Sequence, residues 1–157
     1  MAVPKWKIKG LSGKYAFRKT ALIILLERIN NLKRSIRYYL SYETAESLHN
    51  VRITLRRVRY NMELFYGLFD KKKFLNLYRL VENLQDKTGD VRDIYIMKQN
   101  ILLFEKEDEI KIPDKLVVSI EEKEKLLIDG LKLEITGFLH SAELKIFMKI
   151  LKKKEVL

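Results

Sequence analysis

The sequence predicts an all-α protein, a four-helix bundle of long helices with a kink in the third. Three observations carry that expectation. Apolar residues recur at spacings of three and four over long stretches, with almost no alternation of the kind a strand needs. The only prolines are Pro4 and Pro113, and no Gly/Ser-rich linker divides the chain. Its 157 residues are 47% apolar, enough for one domain with a real core. Residues 1–157 therefore read as a single helical domain, with 1–12 as an N-terminal tail.

Residues 15–40 read as the first helix. Leu22, Leu25, Ile29, Leu32 and Ile36 form its apolar stripe, and Ser12 is a candidate cap. Ser41 and Tyr42 mark a turn. Residues 43–69 read as the second helix, about 40 Å long, with Leu48, Val51, Leu55, Val58, Met62, Phe65 and Phe69 on one face. Asp70 ends it. Residues 71–104 read as the third, beginning with Phe74, Leu77, Leu80, Val81 and Leu84. The segment LQDKTGDVRD then interrupts the pattern, which resumes at Val91, Ile94, Met97, Ile101 and Leu102. Gly89 costs about 1 kcal/mol relative to alanine inside a helix, so a kink or short break is expected there, with Asp90 capping the resumed helix. Residues 105–115 read as a polar loop and 116–139 as a fourth helix. Residues 141–153 continue that helix or form a short fifth one capped by Ser141.

Composition excludes several classes. The absence of cysteine rules out a disulfide framework and a thiolate metal site. The N-terminal MAVPKWKIKG has no apolar signal region, and the longest apolar run, ALIILL at 21–26, is too short to span a bilayer. A cytoplasmic protein that does not enter a membrane is expected. The basic, amphipathic LKIFMKILKKK at 144–154 reads as a terminal helix packing on the bundle rather than on a lipid surface.

The net charge of +11 is unevenly placed. Residues 1–60 hold 14 lysines and arginines against 3 acidic residues; residues 101–157 hold 11 against 12. An excess confined to the first two-fifths of the chain points to an anionic partner rather than a solubility device. Four of the ten arginines fall within LHNVRITLRRVRY, residues 48–60. At about 100° per residue, counted from His49, Arg52 lies near 300°, Arg56 near 340° and Arg59 near 280°. These four side chains form one ridge about 15 Å long, beside an apolar stripe centred near 210°. Arg57, near 80°, points off the other side. Like charges three and four apart each destabilise a helix by a few tenths of a kcal/mol. No acidic residue between Glu46 and Glu63 offsets them. Carboxylates on other helices, such as Asp86, Asp90 or Asp93, are the structural alternative. The functional reading is a row of planar guanidinium forks awaiting phosphate groups.

No enzyme is expected. LSGKY at 11–15 lacks the upstream glycine spacing of a phosphate-binding loop. No nucleophile–histidine pair or metal-ligand cluster is visible, and His140 is remote from His49, so neither a metal nor a cofactor is implied. His49 reads as an accessory donor beside Arg52.

The stretch HNVRITLRRVRY resembles the signature of the CHAD domain, the conserved-histidine α-helical domain. His49, Arg52, Arg56, Arg57 and Arg59 match its order of histidine, arginine, paired arginine and further arginine. A second segment, LVENLQDKTGDVRDIYIM at 80–97, resembles the family's leucine–glycine then arginine–aspartate run through Gly89, Arg92 and Asp93, with Thr88 where leucine is usual. Binding of inorganic polyphosphate is what the resemblance implies, with Arg52, Arg56, Arg57 and Arg59 as the expected contacts and His49 as an accessory donor. The family usually carries two related four-helix bundles, and this chain has one histidine–arginine motif, so a homodimer would restore the pair. Lys33 and Arg37 late in the first helix and Arg18 at its start are candidates to extend the track. Arg92 with Asp93 is expected to form a structural ion pair at the kink. The rival partner is a nucleic acid on the same basic surface, although the ridge has no interleaved stacking platform beyond Tyr60 at its edge.

Overall fold

The computed structural model describes residues 16–107 and 111–155, and the expectations for Ser12 and the tail lie outside them. The described residues contain five α-helices: α1 Phe17–Ser41, α2 Ala45–Phe65, α3 Lys71–Glu107, α4 Asp114–His140 and α5 Ala142–Glu155. A 3-10 turn, Tyr66–Leu68, joins α2 to α3. The all-α expectation holds. Of the two alternatives for residues 141–153, the structure has the separate fifth helix.

The helix ends arise from local chemistry. Thr44 caps α2. Its hydroxyl accepts from the Ser47 backbone N–H at 3.1 Å, while the Ser47 hydroxyl accepts from the Thr44 N–H at 3.0 Å. This reciprocal pair satisfies two amides that the helix itself leaves unbonded. The α2 helix stops at Phe65 rather than at residue 69, and Asp70 opens α3 instead of merely ending α2. Its carboxylate accepts from the Lys73 N–H at 3.0 Å. Pro113 stands before α4, where its missing N–H is harmless. The Ser141 hydroxyl caps α5, accepting from the Leu144 N–H at 3.3 Å.

The expected break at Gly89 does not occur: α3 runs unbroken for 37 residues, about 55 Å. Thr88 and Val91 on either side are fully buried. Packing of that face offsets a local propensity cost of about 1 kcal/mol. Thr88 occupies its apolar position without an orphaned hydroxyl, because the hydroxyl donates to the Gln85 carbonyl at 2.9 Å.

The core lies among α1, α2, α3, α5 and the last turns of α4. Leu25, Ile29, Leu32, Leu48, Leu55, Met62, Leu77 and Ile135 are all essentially inaccessible. Phe74 of α3 is ringed by Tyr66, Phe69, Tyr78 and Phe147, with centroids 5.2–6.2 Å away. Neighbouring pairs fix the directions. Phe17–Phe65 and Ser35–Thr54 make α1 and α2 antiparallel. Lys98–Glu124 and Asn83–Glu134 do the same for α3 and α4. Among the described residues beyond Ile94 on α3 and before Leu131 on α4, the buried apolar residues thin to Ile120. That half of the α3–α4 pair is an arm of two helices that leaves Leu102, Phe104 and Val118 more than half exposed.

Candidate functional site

The basic ridge forms on α2 because Leu48, Val51, Leu55, Val58 and Met62 turn toward the core, and a helix fixes everything else by rotation. His49 and Arg56 are exposed and Arg52 is half-buried. Arg52 lies across α3 at Gly89: a Cβ built on that glycine would sit 3.4 Å from the guanidinium. The histidine–arginine segment and the glycine segment therefore meet in space, arginine over glycine. No carboxylate approaches Arg52, Arg56 or Arg57 within 4 Å among the described residues. Asp86, Asp90 and Asp93 do not neutralise the ridge. Nor does Arg92 pair with Asp93, so the ion pair expected at the kink is absent among the described residues.

Arg59 differs from its neighbours. Its Nε donates to Glu63 at 3.0 Å and to the Tyr78 hydroxyl at 3.1 Å, and a terminal nitrogen lies 3.5 Å from Glu82. Tyr78 in turn donates to Glu63 at 2.6 Å. For this arginine the ion-pair partners are Glu63 and Glu82, rather than the Asp86, Asp90 or Asp93 of the structural alternative. The Tyr78 hydrogen bond, followed by that from Arg59, holds the Glu63 carboxyl below its usual range. A carboxylate favoured in the folded state stabilises above its unfolded pKa of about 4.3 and loses that contribution as pH falls below it. The contribution is below about 1 kcal/mol for so exposed a group. Tyr78→Phe is expected to flatten the acid side of the stability profile below about pH 4.3, read from urea midpoints. An unchanged profile would remove this pair from the acid response.

Arg57 does not join the ridge. It faces α1 and lines a groove with Arg28, Asn31, Asn50, Ile53 and Thr54. Arg28 follows Glu27 in the chain, but neighbours on a helix do not face one another, and nothing in the sequence alone marks it. In the fold Glu27 accepts from Asn31 and pairs with Arg34 instead. Ser35 hydrogen-bonds to Thr54 and so marks the side of α1 that faces α2. Lys33 and Arg37 are each two residues from Ser35, hence about 160° around the helix from that side. They are not brought to the ridge. Arg18 is exposed at the start of α1, near the far end of α2.

Among the described residues no cluster of histidine and carboxylate side chains could hold a metal ion. No described helix is long and apolar enough to cross a membrane. No curated protein and no solved structure matches the chain. The sequence does match the CHAD domain over residues 3–101, a span that contains α1, α2, the Arg52–Gly89 contact and most of α3. More than half of the chain is covered, and the protein belongs to the CHAD domain family.

Proposed function

We propose that the protein is a non-enzymatic module that binds inorganic polyphosphate, with Arg52 and Arg56 as the principal contacts and His49 as an accessory donor. The observation that carries this reading is a pair of adjacent guanidinium groups with no carboxylate partner among the described residues, on the helix that bears the family motif. Charge-assisted hydrogen bonds from such forks to phosphate oxygens are among the strongest available to a protein surface. The repulsion along α2 is tolerated because the ligand relieves it. Arg59, held by Glu63 and Tyr78, serves the scaffold. Cytoplasmic placement and the arrangement of α4 and α5 end to end as the fourth rod of a bundle belong to the same reading.

The deciding experiment is calorimetric titration with long-chain polyphosphate at about 150 mM salt, with RNA and orthophosphate alongside. Tight binding to polyphosphate alone supports the module. Equal or tighter binding to RNA would transfer the surface to nucleic acids. Silence with both would leave the ridge a structural feature.

Gly89 gives a finer test. Gly89→Ala places a methyl in ordinary contact with Arg52 and is expected to raise stability by up to about 1 kcal/mol with binding intact. Gly89→Leu displaces the guanidinium and is expected to weaken polyphosphate binding while the helix persists by circular dichroism. Equal affinity in both variants would detach Arg52 from the site.

A homodimer supplies the second motif that a single repeat lacks. The exposed Leu102, Phe104 and Val118 of the two-helix arm offer the apolar area a second copy would cover. Light scattering should give twice the chain mass for the wild type and the single mass for Leu102→Glu/Val118→Glu. A wild-type monomer at all concentrations would sink the dimer.

A further inference from the structure

Helix α4 carries a face that the chain itself leaves uncovered. Leu126 and Leu133 are 74% and 76% exposed, more than any other large apolar side chain among the described residues. At about 100° per residue, Gly130 and Gly137 fall on the same side, and all four residues lie within an arc of about 60°. Leucine and glycine thus each repeat after seven residues, the glycines set four behind the leucines. Glycine weakens a helix interior, and a Cβ added at Gly130 or Gly137 would meet nothing within 4 Å. Packing inside the chain therefore calls for neither glycine, and burial inside the chain accounts for neither leucine. Leu133 and Gly137 also line a hollow of about 330 Å³ with Leu80, Leu84 and Phe138.

The order of these four residues is self-complementary. Leu126 and Gly137 lie equally far from the middle of the stretch, between Leu131 and Lys132, and so do Gly130 and Leu133. With a second α4 laid end for end against the first, Leu126 meets the partner's Gly137 and Leu133 meets the partner's Gly130. A parallel pair in register would set leucine on leucine and leave the glycines empty. The flank agrees in charge. Glu122 and His140 are both exposed and lie about 40° to the same side of Leu126. They stand almost symmetrically about the same midpoint, and neither holds an ion pair among the described residues. In the antiparallel pair each Glu122 faces the partner's His140, and the two-fold axis makes that contact twice.

We propose that α4 is the contact helix of an antiparallel dimer, with the leucines of one copy seated in the glycine notches of the other and Leu126 entering the hollow beside the partner's Gly137. The proposal rests on the dimer reading given above and says how the second copy sits: the arm of each chain lies along the body of the other. Missing side chains at the notches let two helix backbones approach closely, with each leucine a knob in the partner's hole. A two-fold contact of this kind closes on itself and does not grow into a filament.

The chain has no cysteine, so disulfide trapping has no background. Leu126→Cys/Gly137→Cys in the full chain is oxidised with copper phenanthroline and run on a non-reducing gel. Within one chain the two positions are about 16 Å apart along the helix, beyond the reach of a disulfide; across the antiparallel pair they face one another. The expected result is a covalent dimer from the double variant and none from either single variant, whose lone cysteines would stand about 16 Å apart across the two-fold axis. Leu126→Glu/Leu133→Glu should raise the dimer dissociation constant at least tenfold, with helix content unchanged by circular dichroism. Light scattering on the wild type separates the two ways of failing. A dimeric mass with no trapped dimer, or with the single variants trapped as readily as the double, would overturn the α4 contact and assign the dimer to another face. A monomeric wild type at all concentrations would overturn the contact and the dimer together.

Discussion

Arg52→Ala/Arg56→Ala is expected to weaken binding of long-chain polyphosphate by about 100-fold at near-physiological salt. Each charge-assisted hydrogen bond is worth about 1.5 kcal/mol or more, roughly a factor of ten. The two act on neighbouring phosphates of one polymer, so their losses accumulate. The salt dependence should flatten as well, by a slope change of about one per cation removed. Stability should not fall. Neither side chain holds an ion pair among the described residues, and removing like charges at helical spacing returns a few tenths of a kcal/mol. The control is Arg59→Ala, which loses the contacts to Glu63, Tyr78 and Glu82. It should cost stability and leave affinity nearly unchanged. The reverse pattern, binding lost with Arg59 and kept without Arg52 and Arg56, would move the site one turn along α2 and onto the scaffold residues.

Phe74→Ala is the substitution expected to damage the fold most. The side chain is 1% exposed and sits at the centre of four other rings. Truncating such a phenylalanine costs about 3–5 kcal/mol, the transfer term plus the cavity left behind. That is a large share of the roughly 5–15 kcal/mol by which a domain is stable. The damage reaches beyond α3, because Phe147 brings α5 to the same cluster and Tyr78 stands one turn on. A urea midpoint lowered with the slope unchanged would fit loss of packing in an otherwise intact fold. Phe74→Leu, which refills most of the space, should recover most of the loss. A Phe74→Ala variant within about 1 kcal/mol of wild type, as a surface change would be, would mean that the cluster collapses freely and holds little.

Helix identity and core faces were legible because they depend on period alone. The stripes on the first and second helices reappear as the buried residues of α1 and of α2 as far as Phe65. The ridge of His49, Arg52 and Arg56 was legible for the same reason. What the sequence hid depends on register between helices. Glu63, four residues from Arg59, could be seen in the sequence, but Tyr78 and Glu82 become its partners only when α3 folds back at one offset. The pairing of Arg28 with Arg57 needs the α1–α2 register, and the placement of Lys33 and Arg37 needs Ser35 as a fixed mark. Helix ends failed where candidates crowd. Ser41 and Thr44 are both of a residue type that caps, and the Thr44–Ser47 reciprocal pair decides it without the usual glutamate. The break at Gly89 failed because a cost of about 1 kcal/mol is small against the packing of its neighbours.

The α3 helix passes without interruption from a crowded environment into an open one. Among the described residues α3 packs against α2, α4 and α5, but past Ile94 it has no buried apolar side chain, and the Lys98–Glu124 pair ties that part to α4. One continuous ladder of hydrogen bonds therefore spans two regimes of amide protection. Amides near the buried Leu77 and Val81 are expected to exchange only with global opening and those past Met97 by local unwinding, which hydrogen exchange would measure. Such exchange would read a soft end and a hard end along a single helix, with Arg52 of α2 set against the hard one at Gly89.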